Sequence, residues 1–91
     1  MAIVGVAARE GRARNIRRAL ELIADQLDLN SRQRVLIKPN FVSTARPLCA
    51  THVDAVRAVL GVLADCGVRD VTIAEGPSAE SAHYAFERFG Y

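Results

Sequence analysis

Lys38 is the single lysine among twelve basic side chains in this 91-residue chain. A guanidinium is a fork that never loses its charge, whereas an ammonium is a compact point charge whose proton can be tuned. Lys38 stands in Lys38-Pro39-Asn40, just after an apolar run, where it can hold an anion or simply reach water. Asn40 can orient a ligand with its amide or end the run in an Asx-turn. Thr51-His52 opens a helical pattern, and the free N–H groups and partial positive charge of a helix start attract anions. A histidine at that point suits a neutral base or ligand; the plainer alternative is an exposed residue near a cap. Glu75 can act as a base or metal ligand, or as a solvated carboxylate. Ser78 follows Glu75-Gly76-Pro77 and can cap a further helix. Lys38, Asn40, Thr51, His52, Glu75 and Ser78 are therefore the candidate ligand-binding residues, with no catalytic residue assigned.

The cysteines add less. Cys49 precedes a helix start, where a thiolate is favoured, but no base accompanies it and a small loop residue is the simpler reading. Cys66 reads as helix packing. Two cysteines make no disulfide framework and fall short of the four ligands of an iron–sulfur cluster, so neither a cluster nor a metal site is expected. The phosphate-loop, dinucleotide, zinc-protease and nucleophile-elbow signatures are missing.

The elements that must position these residues follow from the apolar spacing. Residues 2–7 and 35–37 and 71–74 are short runs rich in β-branched residues, the pattern of strands buried on both faces. Ile16, Leu20, Ile23 and Leu27 recur at helical spacing, with Asn30-Ser31 as the turn after them. Thr51 predicts an N-cap with Asp54 as a shortened capping box, and Gly67 predicts the end of that helix. Ser78 predicts the cap of a last helix whose Ala82, Ala85, Phe86 and Phe89 share a face and which Gly90 closes. The order β-α-β-α-β-α predicts a small Rossmann-like α/β unit of two or three layers with a three-stranded parallel sheet, one domain over residues 1–91. In such sheets ligands bind beyond the carboxyl ends of the strands, where Ala7-Ala8-Arg9, Lys38-Pro39-Asn40 and Glu75-Gly76-Pro77-Ser78 would converge.

Bulk properties narrow the partners. A chain that is 51% hydrophobic and 24% charged is too apolar for disorder, and charges break every apolar run before the ~20 residues a membrane helix needs. No basic segment precedes the apolar start, as a signal peptide would require, and a cytoplasmic protein with reduced thiols is expected. A net charge of +2 does not call for nucleic acid. Arg9, Arg12, Arg14, Arg17 and Arg18 do crowd together; the solvated face of a first helix is the favoured reading, and weak nucleic-acid binding through Arg9–Arg18 is kept as a third function. No aromatic residue interleaves them for base stacking.

The second helix carries an excess. Asp54, Arg57, Gly61 and Asp65 make one narrow polar stripe, and Val53, Ala55, Val56, Ala58, Val59, Leu60, Val62, Leu63 and Cys66 fill the remaining circumference. Such a helix must be covered on most sides, yet a chain this short buries only about 63% of its unfolded surface. A homo-oligomer or a missing C-terminal region is expected to supply the cover.

Three runs carry a family likeness: Val35-Leu36-Ile37-Lys38-Pro39-Asn40-Phe41-Val42, Ala50-Thr51-His52-Val53-Asp54-Ala55-Val56-Arg57-Ala58-Val59, and Ile73-Ala74-Glu75-Gly76-Pro77. With the closing Phe86-Glu87-Arg88-Phe89-Gly90-Tyr91 they resemble the N-terminal part of the "domain of unknown function 362" proteins. The resemblance is good over residues 35–91 and loose over 1–34. It implies an α/β domain from a longer chain, sometimes beside ferredoxin-like cluster-binding segments, with Lys38, Asn40, Thr51, His52 and Glu75 as recurrent polar positions. This chain then reads as an N-terminal fragment or truncated relative. The expected function is binding of a small anionic or phosphorylated ligand at the carboxyl edge of the sheet; the alternative is a structural, oligomerising module without catalysis.

Overall fold

A computed structural model describes residues 1–76 and 81–91. The elements are α1 (Arg12–Glu21), a 3₁₀ turn (Ala24–Gln26), β1 (Arg34–Ile37), a 3₁₀ turn (Pro47–Cys49), α2 (Val53–Asp65), β2 (Asp70–Ile73) and α3 (Ala82–Arg88). The protein is thus mixed α/β. β1 and β2 pair in parallel, Arg34 opposite Asp70 through Ile37 opposite Ile73, with α2 in the crossover between them.

Residues 2–7 form no strand, and among the described residues the sheet has two strands. The reason lies in the layers. A run apolar on both sides needs cover on both faces, and this sheet is covered on one. Val35, Ile37, Val71 and Ile73 are half-buried, whereas Arg34, Leu36, Asp70 and Thr72 are exposed. The N-terminal segment lies along α1 instead, so close that a Cβ on Gly5 would collide with the carbonyl oxygen of Ala19. Ile3, Val4 and Val6 stay exposed there.

The first helix also stops earlier than its apolar spacing suggests. It ends at Glu21 and tightens into the 3₁₀ turn. Asp25 and Asp28 lie just beyond, and carboxylates oppose the negative end of a helix dipole. The cap of α2 is His52, whose Nδ1 accepts the Asp54 N–H at 3.0 Å, rather than Thr51. The cap of α3 is Ser81, whose Oγ accepts the Tyr84 N–H; Ser78 lies outside the described residues.

Two helix ends match their glycines. At the end of α2, Val68 N–H reaches the Leu63 carbonyl and Gly67 N–H the Ala64 carbonyl, each at 3.0 Å, a Schellman pair. α3 ends in the same way. Gly90 adopts φ +80°, a region costly for residues with a Cβ, and Tyr91 N–H bonds back to Phe86. That reversal lays the Tyr91 ring against Phe86, centroids 5.6 Å apart.

The core is small: among the described residues Pro39, Phe41, Val56, Val62, Leu63, Val68 and Ala85 are its buried apolar residues. Phe41 is 2% exposed and sits at ring-centroid distances of 5.1–5.3 Å from Phe86, Phe89 and Tyr91, in the tilted and edge-on geometries aromatic rings favour. α1 packs on α2 in the same sense. Arg12 faces Asp54 at the two starts, and Arg17 bonds Asp65 near the end of α2 at 2.6 Å. α2 buries only Val56, Val62 and Leu63 fully; its other apolar side chains are half-buried, Ala64 excepted, which is exposed.

Phe41→Ala removes the centre of the aromatic cluster and is expected to cost about 3–5 kcal/mol, measured by urea unfolding. A loss below about 1 kcal/mol would show that the cluster does not anchor the fold.

Candidate functional site

Both strands leave the sheet at one edge, and the sequence there folds to brace itself. Ala74 N–H continues the parallel ladder to the Ile37 carbonyl at 3.0 Å. Beyond Ile37 the burial alternates: Lys38 and Asn40 are exposed, Pro39 and Phe41 buried. Pro39 has no N–H to leave unpaired, so it enters the interior without a hydrogen-bond deficit. Phe41 then makes an isolated antiparallel bridge to Ala50. Next to it, Asn40 N–H donates to Thr51 Oγ1 at 2.9 Å and Thr51 N–H to the Asn40 carbonyl at 2.8 Å. The hydroxyl that might have capped α2 is thereby occupied, which is why the cap passes to His52.

Glu75 holds this edge together. Its Oε2 accepts from Lys38 Nζ at 3.0 Å and from Phe41 N–H at 3.2 Å, and its Oε1 from Gly76 N–H at 2.7 Å. The Glu75 side chain is 6% exposed and that of Lys38 64%. Glutamate is rarely buried unless paired, and here two backbone donors and an ammonium pair it. The Lys38 hydrogen bond is the largest cause holding the Glu75 carboxyl below its ordinary range, partial burial opposes it, and the Gly76 and Phe41 amides add to the lowering. Glu75 is therefore an ionised structural acceptor. As a base or metal ligand it would first have to abandon these donors.

The structure brings Lys38 to Glu75 and Asn40 to Thr51, with His52 adjoining Thr51. His52 Nδ1 accepts from its own helix, so the ring hydrogen lies on Nε2. Tyr91 closes the far side: its hydroxyl donates to the Thr51 carbonyl at 2.9 Å, and burial raises its pKa. Sequence spacing placed Phe86 and Phe89 on one helix face but missed that Phe41 and Tyr91 join them. Gly90 was the available signal, because a left-handed residue after a helix turns the chain back.

Cys49 is exposed and, with Asn40 and Thr51, lines an open hollow of ≈ 480 Å³. Ala7-Ala8-Arg9 does not extend a strand, and Arg9 takes φ +73° in the turn before α1. Within the arginine cluster, Arg12 faces Asp54, Arg17 holds Asp65, and Arg18 lies 4.0 Å from Glu21. No helix among the described residues is long and apolar enough to cross a membrane.

The pH dependence follows from Glu75. Its folded-state pKa is depressed, so its contribution is complete above the ordinary glutamate value of about 4.5 and disappears as pH falls through the lowered folded value. Glu75→Gln is expected to lower stability at neutral pH and to flatten the stability profile below that value. Thermal unfolding across acidic pH checks it; an unchanged profile would remove Glu75 as the clamp.

A family model described as "Domain of unknown function (DUF362)" matches residues 35–91. The match covers the C-terminal part of this chain, from β1 through the aromatic closure by Tyr91. No curated protein and no solved structure matches the chain.

Proposed function

We propose that the chain, which belongs to the DUF362 family, binds a small anionic or phosphorylated ligand at the carboxyl edge of its parallel sheet. The observation that carries this reading is the asymmetry of the Lys38–Glu75 pair, a carboxylate held inside and an ammonium held outside. Glu75 spends one of the three ammonium donors and fixes the amine at the rim, leaving two for a ligand. Asn40 adds an exposed amide on the same edge, and His52 adds an Nε2–H. Asp54 at the start of α2 keeps its Oδ2 3.6 Å from His52 Nδ1, and Arg57 offsets its charge, Nη1 to Oδ1 being 2.7 Å. These groups bind; the reading assigns none of them a step in catalysis.

Titrating orthophosphate, nucleotides and dicarboxylates while following thermal unfolding tests it. At least one anion is expected to stabilise the wild type more than Lys38→Ala. Because that variant also unpairs Glu75, backbone amide shifts of Asn40, Thr51 and Gly76 in the wild type give a second readout. Equal stabilisation of both proteins, or unmoved amides at saturating anion, overturns the reading.

A second reading, association with another copy, is favoured by the bare outer face of the sheet. Leu36 is 65% exposed on that face, and Val42 and Leu48 are exposed in the segment that follows β1. Among the described residues both strands also keep a free edge, and residues 2–7 have the composition of a strand. A fuller, three-stranded Rossmann-like sheet is what such association would complete. Light scattering is expected to show a dimer that Leu36→Glu dissociates; a monomeric wild type at high concentration refutes it.

A further inference from the structure

We propose that the groove between α1 and α2 is a separate binding site for a phosphomonoester or diphosphate group of a small molecule. The groove measures ≈ 510 Å³, within the range of about 300–1,000 Å³ usual for small-ligand pockets. Arg12, Arg14, Arg17 and Arg57 line it. Its floor is small and apolar, with Ala13, Ala58 and Gly61 contributing no side chain longer than a methyl.

The charges in the groove do not balance. Asp54 is the one carboxylate in its lining among the described residues, and it serves two arginines, Arg57 at 2.7 Å and Arg12 at 3.9 Å. Arg17 is held by Asp65 at 2.6 Å, with Glu21 at 3.9 Å. Arg14 makes no ion pair among the described residues. Two positive charges are thus left without a counter-charge inside the groove, which matches the charge of about −1.5 to −2 on a phosphomonoester at neutral pH. Guanidinium forks also fit phosphate oxygens two at a time.

A second observation points the same way. The N-cap of α1 is Gly11, no side chain caps the helix, and no acidic residue occupies its first turn. Arg12 and Arg14 stand there instead, cations at the positive end of a dipole, the reverse of the favourable order. An anion in the groove would relieve both this repulsion and the surplus of guanidinium groups. The groove has no aromatic lining on which a base could stack, and this favours a small phosphorylated molecule over a nucleic-acid strand. The groove adjoins the rim at Asp54, 3.6 Å from His52, but it shares none of the rim's donors.

Calorimetric titration of the 91-residue chain with pyrophosphate and with glycerol 3-phosphate tests the site. Wild type is expected to bind, and Arg14→Gln, which breaks no ion pair, to weaken binding about tenfold. Gly61→Leu fills the groove and pushes aside the Arg17 guanidinium, whose Nη2 lies 3.0 Å from a Cβ at this position, and it is expected to remove the groove's share of the binding heat while circular dichroism shows the helices intact. Backbone amide shifts of Ala58 and Gly61 on adding pyrophosphate report the groove and those of Asn40, Thr51 and Gly76 report the rim, so failure of the rim reading and failure of this one are distinguishable. Three outcomes overturn the proposal: no heat with either phosphate probe, unchanged affinity in Arg14→Gln, or steeply salt-dependent binding of a single-stranded oligonucleotide without pyrophosphate binding.

Discussion

A buried carboxylate with three donors organises one end of this protein. Glu75 takes hydrogen bonds from Lys38, Phe41 and Gly76, so one side chain from the exit of β2 ties down the exit of β1. Four-residue strands have little ladder of their own, and the alternative for the ionised group is a desolvated charge without partners, which is far costlier than an unmade neutral hydrogen bond. The strand ends are therefore joined by side-chain hydrogen bonds as well as by their pairing. Phe41 is delivered to the interior as a consequence, because its own N–H is one of the three donors.

Around that clamp the apolar and polar contacts serve the same segment. Phe41 sits among Phe86, Phe89 and Tyr91, and the Tyr91 hydroxyl reaches the Thr51 carbonyl beside the Asn40–Thr51 exchange. The C-terminal helix is only seven residues long, too short to be stable alone. Its stability comes from this packing and from the Gly90 reversal that brings Tyr91 back. The polar residues of the Lys-Pro-Asn and Thr-His segments first hold one another in place, and only their outward atoms remain for a ligand.

The other half of the molecule is built differently. α1 contributes no fully buried residue, and its contact with α2 is reinforced by ion pairs such as Arg17–Asp65, whose hydrogen bond, and then whose charge attraction, raises the Arg17 pKa. Surface pairs of this kind add little stability individually. They do set the relative position of the two helices and hence the shape of the basic groove between them. On the outer face of the sheet Arg34 pairs with Asp70 at 3.4 Å, while Leu36 there and Ile3, Val4 and Val6 of the N-terminal segment stay exposed.

The amino-acid order by itself determined what depends on neighbours along the chain. β1 and β2 were legible from β-branched runs, α2 from its apolar spacing, and the two helix ends from Gly67 and Gly90, since each reflects a local preference of backbone or side chain. The likeness over residues 35–91 was legible from the Lys-Pro-Asn and Thr-His runs, and so was the meeting of Lys38 with Glu75 at one edge. Only the tertiary structure decided which partners these residues take. Residues 2–7 have the composition of a strand, but they lie along α1, with Gly5 against the Ala19 carbonyl, instead of pairing with β1 or β2. Thr51 suits a cap, but its hydroxyl is used by Asn40 from across the loop. Glu75 and Phe41 are far apart in sequence, and Arg57 joins the α1 arginines only because α2 lies beside α1. Local propensity is a property of short segments, whereas hydrogen-bond competition, burial and charge balance are settled by whatever the fold places within a few ångströms.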